Sequence, residues 1–555
     1  MIYADLPGLG KTLALLMTFV IGRKPGDGPS VVVAPASCCR QWMEEIRSQF
    51  EEVCTTFEST LNFSMLYLTV NILQGTLRAL LLADSSFLPH DLYQYDVIIT
   101  SYNYVVSESS RLAKFDKQME DYEKGKTTLP PKRPRVVLLS GIWRMDGVRL
   151  MGKYLALDEA HAVKNHSGRS FAAIKQLRER FLVCIPTTGT PLDNTWADIF
   201  ALLSMLRDHP FTSMLRMREV FTDGLLQPKK KDKRLSVPKR HRLMRLVHLL
   251  HACTISRPAS LFTRNLPPLH AQVISFDLPK DVKQLSNEAF RGYQLSLGSN
   301  VNDAAYGGKS DGQSQRYIKW SALTKATQFA FHPGLPRIME LIRKTTQQNM
   351  TSDADMDDLQ LLSEEDKKEY DGWREWIQVG DNSRSPRVDV LVDIVNKTRD
   401  LHPGDAILVL DESRFFLDIL AVAFARMVEP VDVFRYDGGH DPAERHQIMR
   451  AFSTASGTRV MLATRGAGGQ GLNVQCANVV VRCGPWWKKS WEEQALARSY
   501  RPGQTKSVWL YEISAKGCTV ETYKRRVRAK KSKINESIMA LLTLDEGQQP
   551  PVWDE

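Results

Sequence analysis

A glycine-rich stretch ends in Gly-Lys-Thr within the first twelve residues of the chain. This spacing is typical of the end of a phosphate-binding loop, in which backbone N–H groups surround phosphate oxygens. The Lys11 ammonium is then predicted to reach the β- and γ-phosphates of a nucleotide, and the Thr12 hydroxyl to bind Mg²⁺. The apolar residues 13–17 predict a helix whose N-terminus points at the anion. The predicted phosphate-binding residues are Gly8, Leu9, Gly10, Lys11 and Thr12.

Two adjacent carboxylates, Asp158 and Glu159, end an apolar run at residues 154–157. Phosphoryl transfer to water needs Mg²⁺ near the β- and γ-phosphates and a group that orients or deprotonates the water. Asp158 suits the metal and Glu159 suits the water. The alternative is the solvated end of a strand, and the phosphate-binding loop earlier in the chain favours the chemical interpretation.

A hydroxyl-rich, turn-forming stretch, TTGTPLDN, covers residues 187–194 after the next apolar run. One interpretation is a loop in which Asp193 or Asn194 caps the following helix. The other is a segment that senses the nucleotide and passes strain to the second half of the chain. The residues themselves leave both open.

Two arginines, Arg498 and Arg501, lie three positions apart in the second half of the chain. On a helix they would share a face. A guanidinium that reaches the γ-phosphate across a cleft stabilises the charge of the transition state. This segment alone favours the alternative, a helix surface with ordinary ion pairs.

Short apolar, β-branched runs alternate with helical stretches in two parts of the chain, which is typical of parallel sheets buried on both faces. We predict an α/β fold with one such sheet in each half, and with nucleotide between two lobes because the chain has one phosphate-binding loop. The predicted strands are 30–34, 96–100, 154–158 and 181–185 in the first half, and 406–410, 431–435, 459–463, 479–482 and 508–511 in the second, where helices are predicted over 413–427 and 443–452.

Composition limits the classes of protein and site. Apolar residues make up 43% and charged residues 25% of the 555, as in ordinary globular proteins, and no apolar run reaches the ~18–20 residues of a membrane span. We therefore expect no membrane segment. The eight cysteines include no C-x-x-C pair, so we also expect no structural zinc and a reduced compartment.

Positive charge is concentrated in blocks. The net charge is +11, and the basic blocks are 228–234, 239–242 and 524–533. Such blocks suit nucleic acid or a nuclear-import receptor. The alternative is a solvated helix face or a flexible loop.

Taken in order, these segments resemble the Swi/Snf-type ATPases, the double-stranded-DNA translocases of helicase superfamily two. The order and number of the matches carry the resemblance, which covers nearly the whole chain. The matching segments are 5–12 (DLPGLGKT), 33–37 with Gln41 and Trp42, 100–102 (TSY), 158–161 (DEAH), 188–194 (TGTPLDN), 436–438 with Arg445 and Phe452, 467–473 (AGGQGLN), 485–487 (PWW), and Gln494, Arg498, Arg501, Gly503 and Gln504.

The resemblance implies two RecA-like lobes with parallel sheets, ATP with Mg²⁺ as cofactors, and double-stranded DNA as partner, gripped by its phosphates. Roles are carried over by position. Implied catalytic residues are Lys11, Asp158, Glu159, Arg498 and Arg501; Gly471 and Gln494 join residues 8–12 in binding nucleotide; Thr12 and Asp158 hold Mg²⁺; His161, Thr188, Gly189 and Thr190 couple the lobes; and Ser37, Gln41, Ser101, Gly468 and Trp486 contact DNA.

The domain organisation follows from these matches. We predict lobe 1 over 1–205, a helical insertion over 206–345 with a basic loop at 228–245, an acidic and mobile linker over 346–385, lobe 2 over 386–530 and a tail over 531–555. The family has an adenine-recognising segment before the phosphate-binding loop, for which this chain starts too late. We therefore expect an N-terminal truncation. Pro7 also removes one N–H from the loop.

The resulting function prediction is a nuclear, DNA-dependent ATPase that translocates on duplex DNA and remodels nucleosomes or other DNA-bound proteins, with DNA repair as one setting. A degenerate ATPase that acts as a DNA- or partner-binding scaffold is the alternative, favoured by the missing N-terminal segment. A strand-separating helicase would need a wedge that we do not identify in the sequence.

Overall fold

The computed structural model divides the chain into two compact units, Met1–Arg264 with Lys531–Glu555 (unit 1) and Asn265–Lys530 (unit 2). Each unit has its own sheet and its own core. The structure describes residues 1–24, 26–49, 51–52, 67–72, 75–84, 86–143, 151–192, 195–222, 238, 240–257, 266–298, 312–338, 364–466 and 474–542.

The sheet of unit 1 is parallel at its centre and antiparallel at one edge. Its seven strands lie in the order β3-β4-β5-β6-β2-β7-β8, with β3–β4 and β4–β5 antiparallel. A further strand, β1, pairs with β9 and makes a parallel bridge from Tyr3 to Thr187, at the end of β8. The strands are β1 (Ile2–Tyr3), β2 (Ser30–Ala34), β3 (Glu51–Glu52), β4 (Tyr67–Ile72), β5 (Gly75–Leu82), β6 (Val97–Ser101), β7 (Gly152–Leu157), β8 (Phe181–Pro186) and β9 (Thr254–Ile255).

Helices cover both faces of this sheet, which explains why its central strands are apolar throughout. In β2, Val31 and Val33 pack into one core cluster, and Val32 and Ala34 into another. The helices are α1 (Lys11–Gly22), α2 (Ala36–Gln49), α3 (Tyr102–Glu123), α4 (Arg169–Arg178), α5 (Ile199–Leu203), α6 (Met214–Phe221) and α7 (Arg240–Cys253), with 3-10 turns at Pro89–Gln94, Ala160–Val163 and Trp196–Asp198.

The sheet of unit 2 is parallel at every pairing described, in the order β10-β15-β14-β11-β13-β12. Alternate residues of its central strand again separate into two clusters, with Ile407 and Val409 in one, and Leu408 and Leu410 in the other. The strands are β10 (Leu269–Phe276), β11 (Ala406–Asp411), β12 (Asp432–Tyr436), β13 (Arg459–Thr464), β14 (Ala477–Arg482) and β15 (Val508–Ala515).

The helices of unit 2 lie between and before these strands, as expected for βαβ connections. They are α8 (Lys280–Gly298), α9 (Gly312–Phe331), α10 (Glu364–Ile377), α11 (Pro386–Leu401), α12 (Arg414–Ala425), α13 (Pro442–Thr454) and α14 (Lys489–Leu496). The last helix, α15 (Thr519–Leu542), begins in unit 2 and ends in unit 1. The predicted α/β fold with two RecA-like lobes and parallel sheets is confirmed.

The expected mobile linker does not hold for the part of it that the structure describes. Helix α10 occupies residues that the acidic composition assigned to the linker. Its Tyr370, Trp373 and Ile377 are buried against the core of unit 2, because three apolar side chains at helical spacing form one face. Residues 346–363 lie outside the described part of the chain.

The segment predicted as a helical insertion also contributes strands. Within 206–345, β9 pairs with β1 and β10 pairs with β15. The mixed polar sequence of β10 hides this role, since an edge strand is buried on less of its surface. From residue 240 the predicted basic loop is helical, and 228–237 lie outside the described residues. The predicted domain boundaries otherwise stay a prediction.

No helix in the described part of the chain is both long and apolar enough to cross a membrane.

Candidate active site

The phosphate-binding loop lies between strand β1 and helix α1. Gly8 and Gly10 have φ of 87° and 72°, in the left-handed region that glycine adopts without strain. Gly10 is the N-cap of α1 and supplies no side chain, so the first-turn amides of this helix have no side-chain cap. The N-terminus of a 12-residue helix therefore presents N–H groups and positive dipole to an anion.

Lys11 lies across the entrance of the loop. Its Nζ donates to the backbone oxygens of Asp5, at 3.0 Å, and Leu6, at 3.1 Å. These are neutral acceptors, and a phosphate offers a charged one that binds an ammonium more strongly. The sequence-predicted role of Lys11 in binding β- and γ-phosphates is compatible with this position.

An arginine that the sequence interpretation did not single out holds the same loop. Arg257 follows β9, and its Nε donates to Asp5 Oδ2 at 2.6 Å. Asp5 itself is fully buried. The hydrogen bond with Asp5 raises the pKa of Arg257.

Asp158 and Glu159 follow the carboxyl end of β7, in the same unit as the loop. The indole Nε1 of Trp42, on α2, donates to Asp158 Oδ2 at 2.8 Å. The hydroxyl of Tyr102, at the start of α3, donates to the backbone oxygen of Asp158, also at 2.8 Å. Two helices thus hold Asp158, α2 through its carboxylate and α3 through its backbone.

The electrostatics at Asp158 fit a cation. Burial raises the pKa of Asp158, and the neighbouring carboxylate of Glu159 raises it further, while Trp42 and Lys11 lower it. A buried carboxyl whose ionised form is disfavoured by a second acid gains from positive charge at that point. Asp158, together with the hydroxyl of Thr12, the second residue of α1, is therefore the donor set that could hold Mg²⁺.

Glu159 has an uncommon backbone conformation, with φ of 48°. Its Oε2 lies 3.2 Å from His161 Nδ1, and His161 Nδ1 lies 3.5 Å from Thr188 Oγ1. The Thr188 hydroxyl in turn accepts from the Thr190 N–H at 3.1 Å. Two segments predicted separately, 158–161 and 187–194, are thus joined through one histidine.

Gly189 packs directly against the phosphate-binding loop. A Cβ added at this glycine would lie 2.8 Å from Pro7 Cδ and 3.4 Å from the Asp5 backbone oxygen. The Thr188 N–H also donates to the Tyr3 backbone oxygen at 3.0 Å. The hydroxyl-rich segment therefore contacts both the acidic pair and the loop, and the predicted helix-capping residues Asp193 and Asn194 lie outside the described residues.

The residues predicted to contact DNA differ in availability. Ser37 and Gln41, on α2, are partly exposed. The Ser101 hydroxyl accepts from the Tyr104 N–H at 3.1 Å and so caps helix α3. Trp486 is 2% exposed in the core of unit 2, and in this structure its side chain is not available to a DNA strand. Gly468 lies outside the described residues.

In unit 2 the two arginines do not share a helix face, contrary to the sequence prediction. Helix α14 ends at Leu496, so Arg498 and Arg501 lie in the turns that follow it. After these turns, the Gln504 side-chain amide donates to the backbone oxygens of Ser499, Gln475 and Ala477. Arg498 is buried, as is Gln494 on α14. Gly471 lies outside the described residues.

Three residues of unit 1 were missed as site residues: Trp42, Tyr102 and Arg257. Trp42 and Tyr102 belong to segments that match the family, so the sequence marked them. It did not show that both contact Asp158. Arg257 is 252 positions from Asp5, and no local pattern connects them. Among the described residues, no group of three or more His, Cys, Asp and Glu side chains could hold a metal ion.

Comparison with known proteins agrees with the Swi/Snf-type resemblance of the sequence motifs. Residues 1–328 match the SNF2-related domain, and residues 386–503 match the helicase conserved C-terminal domain. A rat relative, "SWI/SNF-related matrix-associated actin-dependent regulator of chromatin subfamily A containing DEAD/H box 1", is 23% identical over 99% of this chain and 48% of its own. The "DNA repair protein rad5" of Neurospora crassa is 22% identical over 97% of this chain and 51% of its own. The chain thus spans about half the length of these curated relatives.

A solved structure, "Sulfolobus solfataricus SWI2/SNF2 ATPase core in complex with dsDNA", is 20% identical over 97% of this chain and 90% of its own, with a TM-score of 0.34. The SNF2-related domain match covers more than half of the 555 residues. The chain belongs to the family of SNF2-related ATPase domains.

Proposed function

We propose that this chain is a DNA-dependent ATPase that translocates on double-stranded DNA and remodels chromatin or other protein–DNA complexes. The observation that carries the proposal is that Lys11, the first residue of the α1 helix with no side-chain cap, acts electrostatically on the buried Asp158 at the end of β7. Relatives described as chromatin regulators and as a DNA repair protein support the substrate class and a nuclear setting.

The contacts within unit 1 support the roles that we propose for its site residues. Lys11 leaves the loop carbonyls and binds the β- and γ-phosphates, while residues 8–10 surround them with N–H groups. Thr12 and Asp158 would hold Mg²⁺, which would supply positive charge to neutralise the phosphates of bound ATP. Glu159 orients and deprotonates the attacking water.

His161, Thr188, Gly189 and Thr190 are proposed to couple the site to the rest of the motor. The support is the chain of contacts from Glu159 through His161 to Thr188, and the close approach of Gly189 to Pro7. Because Gly189 has no Cβ, the segment after β8 packs directly on the phosphate-binding loop. A change in the loop is therefore transmitted to this segment. Thr190 contributes its N–H to the Thr188 hydroxyl.

For unit 2 the proposal rests on the family resemblance. Arg498 and Arg501 are proposed to stabilise transition-state charge, with Gly471 and Gln494 binding nucleotide.

Ser37, Gln41, Ser101 and Gly468 remain proposed DNA contacts, for which phosphate binding predicts strong dependence on salt. Trp486 would need to leave the core to take part.

The test is ATP hydrolysis by the purified chain, with and without duplex DNA, beside Lys11→Ala and Glu159→Gln. We expect DNA-stimulated turnover that falls by at least about 100-fold in Glu159→Gln, as for the loss of a general base. Arg23→Ala, at the far end of α1, is the control for effects on folding. No turnover in any form, with salt-sensitive DNA binding intact, would replace the motor by a DNA-binding scaffold.

A further inference from the structure

The buried carboxylate of Asp5 lies at the entrance of the phosphate-binding loop and is held by a residue far away in sequence. Arg257 binds it twice: its backbone N–H donates to Oδ1 at 2.7 Å, and its Nε donates to Oδ2 at 2.6 Å. Asp5 is fully buried, whereas the Arg257 side chain is 39% exposed. A buried carboxylate with two such donors has little freedom to move.

The same guanidinium also binds the loop itself. Arg257 Nη2 donates to the Leu9 backbone oxygen at 2.7 Å and to the Tyr3 hydroxyl at 2.9 Å. One side chain therefore joins the strand before the loop, the loop entrance and the residue between the two left-handed glycines. The peptide bond from Leu9 to Gly10 is planar and trans, so its N–H points away from its C=O. Fixing the Leu9 carbonyl on Arg257 fixes the direction of the Gly10 N–H.

The backbone around Arg257 is itself attached to the first strand. Strand β9 pairs with β1 in parallel register, and the Ala4 N–H donates to the Ile255 oxygen at 2.7 Å. The Ser256 hydroxyl donates to the Ala4 oxygen at 3.1 Å. The arginine is thus delivered by a short strand that runs beside the chain entering the loop.

We propose that Arg257 is a positioning residue that holds the phosphate-binding loop in the conformation that accepts nucleotide. This inference rests on the proposed ATP-binding function. Without the guanidinium, the loop spends less time in that conformation, and the apparent affinity for nucleotide falls by the same fraction. The bound complex, once formed, retains Lys11, Asp158 and Glu159. The effect therefore belongs in KM and not in kcat.

The kinetic test compares Arg257→Lys and Arg257→Ala with the unmodified chain. We expect KM for ATP to rise about 10- to 100-fold, as for the loss of hydrogen bonds to a charged group, with kcat within about twofold. A merely structural role would lower the active fraction, and so kcat, at unchanged KM. That result would overturn the proposal.

The matched control is Arg23→Ala. Arg23 is 34% exposed and pairs with the buried Asp96, so it resembles Arg257 in exposure and partner but lies beyond the C-terminal end of α1. Its KM is expected to stay within about twofold of the unmodified chain. An equal rise in KM in Arg23→Ala would show a general effect of losing a half-exposed ion pair and would contradict a specific role of Arg257.

A second measurement separates this inference from the proposed function. Hydrogen–deuterium exchange of residues 5–11, without nucleotide, is compared between the unmodified chain and Arg257→Lys. We expect exchange about tenfold faster in the variant, with β2 unchanged. Faster exchange in a chain that hydrolyses no ATP would leave the positioning role standing and remove the enzymatic function. Equal exchange in the two proteins would overturn the positioning role whatever the activity.

Discussion

Each unit buries a carboxylate and pairs it with an arginine from a distant part of the chain. In unit 1, Asp5 is bound by Arg257, 252 positions away, and in unit 2, Glu521 is bound by Arg387, 134 positions away. The chemistry of the two pairs is the same. Their surroundings are different, and the difference separates a role in loop conformation from a role in the stability of the core.

Arg387 lies in the buried core of unit 2. It is fully buried, its guanidinium lies 4.0 Å from the centre of the Phe331 ring, and it donates to the backbone oxygens of Ala330 and Cys483. Arg257 is partly exposed and binds a strand end and a glycine-rich loop. We therefore expect removal of Arg387 to act on the folding of unit 2, and removal of Arg257 to act on the proposed nucleotide binding.

The largest effect is expected for Arg387→Met, which leaves the Glu521 charge buried without its partner. The free energy of unfolding of unit 2 should fall by roughly 3–5 kcal/mol. Urea denaturation followed by tryptophan fluorescence measures it. The double variant Arg387→Met with Glu521→Leu should recover most of the loss. An equal loss of stability in Arg257→Ala would remove the contrast between the two pairs.

Asp411 is a third buried carboxyl, held mainly by a neutral donor and not by an arginine. It extends the comparison of the two arginine–carboxylate pairs. Burial raises the pKa of Asp411 to about 7, against the favourable hydrogen bond from the Ser413 N–H. The folded chain holds a proton that the unfolded chain releases near pH 4, so this contribution to stability is present below about pH 4 and is lost as pH rises to about 7.

Asp411→Asn tests this dependence on pH, because asparagine carries no charge and can still accept the Ser413 N–H. The variant should be roughly 2–4 kcal/mol more stable than the unmodified chain at pH 8 and nearly equal at pH 4. Thermal unfolding across this pH range measures the difference. A constant difference at every pH would show that Asp411 does not titrate as described.

Trp42→Phe asks whether a neutral donor positions a carboxylate in unit 1 as an arginine does. Loss of the indole N–H from Asp158 should lower kcat/KM for ATP by about 5- to 30-fold, corresponding to about 1–2 kcal/mol. The pKa of Asp158 should rise further, which moves the acidic limb of the pH–rate profile to higher pH. Trp143→Phe is the control, since that indole donates to the Val137 oxygen instead.

The smallest effect is expected for Thr188→Val, which keeps the shape and removes the hydroxyl that lies between His161 and Thr190. We expect DNA to stimulate hydrolysis about two- to fivefold less than in the unmodified chain, as for one neutral hydrogen bond. Thr398→Val removes a buried hydroxyl on α11 of unit 2 and should leave the stimulation unchanged. Equal losses in both variants would contradict a coupling role for Thr188.

The fold was largely predictable because its strands are strong local signals. The run at 30–34 is strand β2 without a shift, and the other eight predicted strands match observed strands to within a few residues. Strands β3, β4, β5, β9 and β10 were missed, since short strands and strands of mixed polarity lack a continuous apolar pattern. Helix α10 was mistaken for a linker because its acidic residues outnumber the apolar residues of its buried face.

The sequence by itself determined the family, the two sheets and the residue types of the site, because these depend on local composition and motif order. Only the tertiary structure decided which distant groups meet. It brought Arg257 to Asp5, Trp42 to Asp158 and His161 to Thr188, and it ended α14 before Arg498. Such pairs form when strands from separate parts of the chain become neighbours in a sheet, and no spacing along the sequence records that.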